Sequence, residues 1–200
     1  MELPTLIFAT NNQHKADEIR SVLNNLFEIR TLRDAGILID IPEPHDTLEA
    51  NAAEKSGVIH QLTGGNCFSE DTGLEVDALN GEPGVRSARY AEGEMNYRDN
   101  TAKLLDKLKD QHNRSAQFKT IISLVLDDKE YQFEGICKGK IITVERGTNG
   151  FGYDPVFIPE GAAKTFAEMT MEEKNTYSHR KKATQQFVEF LKSKYGQDKN

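Results

Sequence analysis

The stretch IFATNNQHKADEIRSVL, residues 7–23, decides how the rest of the chain is read. It opens as a short buried strand (LIFAT), breaks at Asn11 and Asn12, and from about His14 to Leu23 its apolar residues return at helical spacing, with Ile19, Val22 and Leu23 on one face. A strand that ends in small polar residues and feeds a helix points backbone N–H groups and the positive end of the helix dipole at one spot, where Lys15 adds a full charge. Such a corner suits a phosphate. Asparagine and glutamine are also ordinary helix caps, so the motif alone leaves both readings open.

Outward from this corner the alternation continues. FEIRTL reads as a second strand, and from Ile37 a proline-punctuated loop leads into a helix that Gly64 and Gly65 end, with Ala52, Ala53, Val58, Ile59 and Leu62 as its buried face. CFSEDTGLEV begins as a strand and then loses period across several glycines and prolines, and a long irregular segment inside a compact domain is more often functional than idle. A helix is expected from about Tyr97 to Leu108, then two long antiparallel strands turning at Asp127 and Asp128, with another strand ending near Val144. RGTNGFGYDPVFIP is a glycine-rich loop running into a short strand. Thr170 caps a helix, the last helix turns Phe187, Phe190 and Leu191 inward, and the hydrophilic GQDKN ending is expected to fray. Helices alternating with strands predict the α/β class, and 200 residues, 37% of them hydrophobic, suffice for one domain, residues 1–200, with a substantial core.

Composition narrows the function. A net charge of −7 argues against a general nucleic-acid binder, which needs a basic surface that this chain shows only in patches, but leaves room for a small anionic substrate in a locally positive pocket. Cys67 and Cys137 lack C-x-x-C spacing and read as reduced core residues. No charged, apolar leader opens the chain, and no apolar run approaches the ~18 residues of a membrane span, so a cytoplasmic protein away from membranes is expected.

Three further clusters carry chemistry. SEDTG places Glu70 and Asp71 at the end of a strand, where α/β proteins hold ligands, and Glu43 lies in the loop before the preceding helix. Adjacent carboxylates repel unless a cation or proton relieves them, which makes Mg2+ a natural partner, although acidic pairs on turns are also commonly just solvated. In GFGYDP, the glycines let a ligand approach the backbone, and Phe151 and Tyr153 offer rings on which a flat base can stack; a turn before a strand explains the glycines equally well. EEKNTYSHRKKA brings Lys174, His179 and Arg180 to the junction of two helical segments, where cations also serve the helix dipole.

Taken together and in this order, ATNNQHK, SEDTGLEVDALNGEPGVRSARYAEG (residues 69–93), GFGYDP and EEKNTYSHR resemble the inosine/xanthosine triphosphate pyrophosphatase (Ham1-like) family, enzymes that remove non-canonical purine nucleotides, over essentially the whole chain. The resemblance implies that Thr10, Asn11, Asn12, Gln13, His14 and Lys15 bind the triphosphate and that Glu43 and Asp71 hold Mg2+, with Asp71 also the general base for the attacking water. Thr72 would touch the nucleotide, and Phe151, Gly152, Tyr153 and Asp154, with Lys174, His179 and Arg180, would surround the purine. It further implies a two-lobed fold on a long mixed β-sheet flanked by helices, an active site in the cleft between the lobes, and a homodimer. The products would be a nucleoside monophosphate and pyrophosphate. Two departures stand out: many bacterial members carry two aspartates where this chain has Glu70 and Asp71, which leaves open whether Glu70 touches the metal, and Asn149 stands where a glycine is common.

Donors and acceptors extend this to base choice. Hypoxanthine and xanthine present a carbonyl at position 6 and an N–H at position 1; Arg180 can only donate to the first and ionised Asp154 can only accept from the second. Adenine reverses both groups and is expected to be rejected. A pyrophosphatase for modified pyrimidine triphosphates would use the same cradle and metal site, and a panel of triphosphates separates the two. A non-catalytic nucleotide sensor gains little from adjacent carboxylates, and metal-dependent turnover excludes it.

Overall fold

A computed structural model describes residues 3–23 and 26–195, apart from the side chains of His14, Glu18 and Val22. The tail at 196–200 and the place of Val22 on its helix lie outside the described residues. The chain opens with β1 (Thr5–Phe8), α1 (Gln13–Leu23) and β2 (Glu28–Thr31), and α2 (Leu48–Thr63) precedes β3 (Cys67–Val76). β1 pairs in parallel with both β2 and β3. β4 (Pro83–Gly84) lies antiparallel on β3, followed by α3 (Asn100–Lys107), β5 (Ser115–Leu126) and β6 (Lys129–Ile141). β7 (Phe157–Pro159) runs antiparallel to β6, and α4 (Met171–Tyr177) and α5 (His179–Tyr195) close the described chain. The strand order is β2-β1-β3-β5-β6-β7, with β4 beside β3, so the α/β expectation of a long mixed sheet with helices holds.

The chain divides into two compact units, Met1–Asp71 with Ile121–Glu134 and Lys182–Asn200, and Thr72–Thr120 with Gly135–Lys181. Each has its own core. In the first, Phe8 stacks on Phe68 at 4.2 Å between ring centroids and Phe68 packs on Phe187 at 4.8 Å; Leu191 joins them. In the second, Phe118, Phe157 and Phe166 pack edge to face or tilted among Leu74, Val76 and Leu104. Cys67 and Cys137 are buried and free, as expected, and burial pushes the Cys67 thiol up to about 12. Among the described residues no helix is long and apolar enough to cross a membrane.

Local signals explain most boundaries. Asp127 and Asp128 both take positive φ, 51° and 61°, the backbone of a two-residue hairpin turn between β5 and β6. Thr47 caps α2 through Ala50 N–H and Gly64 ends it in the left-handed conformation. The structure corrects four expectations. Glu70 and Asp71 lie within β3, which runs on to Val76, rather than at the end of a strand. α3 begins at Asn100 rather than Tyr97, because Asp99 takes the cap position and accepts from Ala102 N–H. β6 ends at Ile141, leaving Val144 exposed beyond it. The buried face of α2 is Leu48, Asn51, Ala52, Ser56 and Ile59, whereas Leu62 is 57% exposed. Asn51 tolerates burial because its side chain accepts from His45 N–H and donates to His45 O.

Candidate active site

The strand-to-helix corner in the first unit is shaped by its own polar side chains. Thr10 Oγ1 accepts from Asn12 N–H at 3.1 Å, Asn11 Oδ1 accepts from Arg33 N–H at 3.1 Å, and Asn12 Oδ1 accepts from Lys15 N–H at 3.2 Å, which caps α1. Thr10, Asn11 and Asn12 therefore hold the loop. Gln13 bonds Asp17 on the exposed face, and the His14 side chain lies outside the described residues. No acidic residue occupies the first turn of α1, so the positive end of its dipole is not neutralised from within the helix. Lys15 reaches across to β3, its Nζ 3.0 Å from Glu70 Oε1, whose side chain is only 6% exposed.

The acidic residues meet around a lysine that the sequence reading did not single out. Lys55 Nζ, on α2, donates to Glu43 Oε1 at 2.7 Å, to Glu70 O at 2.9 Å and to Asp71 Oδ1 at 3.3 Å. Glu43 and Asp71, far apart in sequence, thus converge on a single cation. Asp71 Oδ2 is buried and takes no hydrogen bond. Among the described residues no group of three or more histidine, cysteine, aspartate or glutamate side chains is arranged to hold a metal. A two-carboxylate pair still suits Mg2+, which binds through one or two carboxylates and completes its shell with water and substrate phosphates. The fit rests on the pair already sharing one cation.

In the second unit, the glycine-rich loop separates two aromatic residues that the sequence reading grouped together. Phe151 is 73% exposed and offers an open ring face. Tyr153 is only 3% exposed; it packs in the core and its hydroxyl donates to Ser87 O at 2.9 Å, so of the two rings Phe151 alone offers an open face. Burial raises the Tyr153 hydroxyl above its ordinary range, with the charge of Asp99 adding to it. Gly152 O accepts from Thr101 Oγ1 at 3.2 Å. The Asp154 carboxylate turns inward: Oδ2 accepts from Phe151 N–H at 2.9 Å and from Lys174 Nζ at 2.6 Å. At 5% side-chain exposure it anchors the loop and the lysine, instead of presenting an open edge to a base. Lys174 Nζ also lies 5.4 Å from the centre of the Phe151 ring, so the cation and the aromatic face are neighbours.

His179 and Arg180 are the first residues of α5, which Ser178 caps through Lys181 N–H. The His179 ring lies parallel to Phe118 at 5.0 Å between centroids, and its Nδ1 is buried without a hydrogen bond. Arg180 is half-buried beside it in the chain. Thr72, the residue after Asp71, places its hydroxyl 2.8 Å from that of Thr120. Each unit therefore holds two of the four expected clusters: phosphate corner and acidic residues in the first, aromatic and cationic residues in the second.

Known proteins resemble this chain along nearly its whole length. A model of the Ham1 family matches residues 6–190. The chain is 54% identical over 186 residues to the dITP/XTP pyrophosphatase of Flavobacterium johnsoniae, covering 93% of this chain and 97% of that protein. It is 50% identical over 187 residues to the dITP/XTP pyrophosphatase of Porphyromonas gingivalis, covering 93% and 96%. Among solved structures, the Ham1 protein of Staphylococcus aureus superposes with a TM-score of 0.89 at 37% identity, over 95% of this chain and 99% of that one. The nucleoside-triphosphatase or dITP/XTP pyrophosphatase of Mycobacterium abscessus gives 0.81 at 39% identity, over 92% and 98%. On motif order, fold and near-complete coverage alike, the chain belongs to the Ham1 family.

Proposed function

We propose that the protein hydrolyses non-canonical purine nucleoside triphosphates, dITP or ITP and XTP or dXTP, to the nucleoside monophosphate and pyrophosphate, and so cleanses the nucleotide pool. The observation that carries the chemistry is the meeting of Glu43 and Asp71 on Lys55 beside the Lys15–Glu70 pair. The substrate class is supported by relatives at 50% and 54% identity that are dITP/XTP pyrophosphatases. Residues 1–200 act as one functional domain in this reading, with the triphosphate assigned to residues 10–15 and the base to residues 151–154, Lys174, His179 and Arg180. A cytoplasmic homodimer is the finer expectation that goes with the family.

Attack on a triphosphate is slow because the nucleophile must approach an anion. Lys15, Lys55 and the positive end of α1 offset that charge, and the backbone corner at residues 10–15 orients the phosphate chain. Asp71 takes a proton from water as the water oxygen bonds to phosphorus, and the bond between the α and β phosphates breaks with pyrophosphate leaving. Mg2+, when held by Glu43 and Asp71, supplies further positive charge to the phosphate oxygens. Phe151 stacks on the base, Thr72 contacts the nucleotide, and Arg180 with Lys174 donates to the carbonyl at position 6. Asp154 acts through Lys174 and the loop. An acceptor for the N–H at position 1 is therefore not assigned to its carboxylate.

Steady-state rates on inosine, xanthosine, guanosine, adenosine and cytidine triphosphates, with and without Mg2+, test the proposal. Efficient, metal-dependent turnover of the inosine and xanthosine substrates is expected, with ATP slower by at least about tenfold because its 6-amino group meets donors only. Equal efficiency on ATP and ITP, or turnover confined to the pyrimidine, would overturn it.

A further inference from the structure

The apolar anchors of α2, Leu48 and Ile59, lie towards its two ends, and the buried positions between them are Asn51, Ala52 and Ser56. Small and polar side chains offer little shape to stop a helix from sliding or turning on its sheet. Directional bonds take over there. Ser69 Oγ, on β3, donates to Ala52 O at 2.6 Å. Ser56 Oγ lies 2.8 Å from Ser123 Oγ on β5, and either hydroxyl can be the donor. Cys67 Sγ–H donates to Ser56 O at 3.1 Å. Ser56, Ser69, Ser123 and Cys67 are each 0% exposed. All three ties fall within residues 52–56 of the helix, less than one turn from Lys55, and two of the serines adjoin site groups in the chain: Ser56 follows Lys55, and Ser69 precedes Glu70, whose carbonyl accepts from Lys55 Nζ.

We propose that Ser56, Ser69 and Ser123 are positioning residues that fix the register of α2 on the sheet and so deliver the Lys55 ammonium to Glu43, Asp71 and the Glu70 carbonyl. A shift of α2 by one residue turns it by about 100° and moves it about 1.5 Å, which would carry Lys55 off all three acceptors. The same shift strands the buried Ser69 hydroxyl, costly to leave without a partner, and parts Ser56 from Ser123, whose hydroxyls keep other acceptors at Ala52 O, Ala53 O and Glu130 Oε1, so the seam opposes it more sharply than apolar contacts alone. The alternative is a seam that only stabilises the unit. The kinetic consequence of the proposal rests on the pyrophosphatase reading; the placement of Lys55 does not.

The test is the Ser69→Ala/Ser123→Ala variant, labelled with 15N at its lysine side chains and observed by NMR in the absence of nucleotide. Lys174, paired with Asp154 in the second unit, is the internal control. In the wild-type protein the Lys55 ammonium is expected as a hydrogen-bonded, slowly exchanging signal. In the variant that signal should broaden or move while that of Lys174 stays in place, and kcat on dITP should fall by about tenfold to a hundredfold, the scale of a misplacement near 1 Å. An unchanged Lys55 signal in the folded variant overturns the proposal. Should the double variant fail to fold, Ser69→Ala, which removes one bond, is read in the same way. A displaced Lys55 signal in a protein that does not cleave dITP would uphold the positioning role and sink the pyrophosphatase reading; cleavage of dITP with an unmoved signal would do the reverse.

Discussion

Replacing Asp71 by Asn should lower kcat on dITP by about 10²–10⁴-fold, the usual worth of a general base, while the protein stays folded. Asparagine matches aspartate in shape and can still accept from Lys55 at the Oδ1 position, so the contact with α2 survives in part. What disappears is the proton acceptor and one negative charge of the pair that would hold Mg2+. Circular dichroism and a thermal melt close to wild type, together with the loss of rate, would separate chemistry from stability. A folded variant that kept more than about a third of the wild-type rate would remove Asp71 from the role of base.

Asp154→Ala should act through stability first. The wild-type carboxylate is buried, accepts from Phe151 N–H and neutralises Lys174 at 2.6 Å. Removing it leaves a largely buried ammonium without its counter-charge, a change worth about 3–5 kcal/mol, or a fall in Tm of about 6–20 °C for a chain of this size. The loop bearing Phe151 would also lose the bond that pins its backbone, so KM for dITP should rise in the variant at temperatures where it remains folded. Asp154→Asn, which retains an acceptor, should lie between the two. A melt of Asp154→Ala within about 1 °C of wild type would show that the carboxylate does not anchor the loop.

Much of this was legible because it depends on short-range signals. The ATNN corner, the Asp127–Asp128 turn and the glycine end of α2 are each decided by the preferences of a few adjacent residues, and the structure shows all three. The candidate site was legible as four motifs but not as contacts. Thr10, Asn11 and Asn12 carry polar side chains that suit a phosphate, yet those side chains fold the loop that presents its backbone. Phe151 and Tyr153 look equivalent in GFGYDP, and only the packing around Ser87 decides that one ring is exposed and the other sits in the core.

Lys55 was missed for a related reason. A lysine in the middle of a polar-rich helix reads as a solvated residue, and its burial follows from where β3 carries Glu70 and Asp71 past α2 and where the Glu43 loop returns, which no local pattern encodes. The same holds for Asn51 and Ser56, whose polar side chains occupy the face of α2 that a hydrophobic pattern assigns to Ala53, Val58 and Leu62. A buried polar face is invisible to periodicity. The start of α3, by contrast, was within reach: Asp99 followed by Asn100 and Thr101 is a cap signal, and it overrides the apolar spacing that begins at Tyr97.

The most direct test of the account is the identity of the products formed from dITP, followed by 31P NMR from a single reaction mixture containing Mg2+. Release of dIMP and pyrophosphate in equal amounts, with no dIDP at any time point, is the predicted result. Formation of dIDP and orthophosphate would place the cut at the γ phosphate and contradict the assignment.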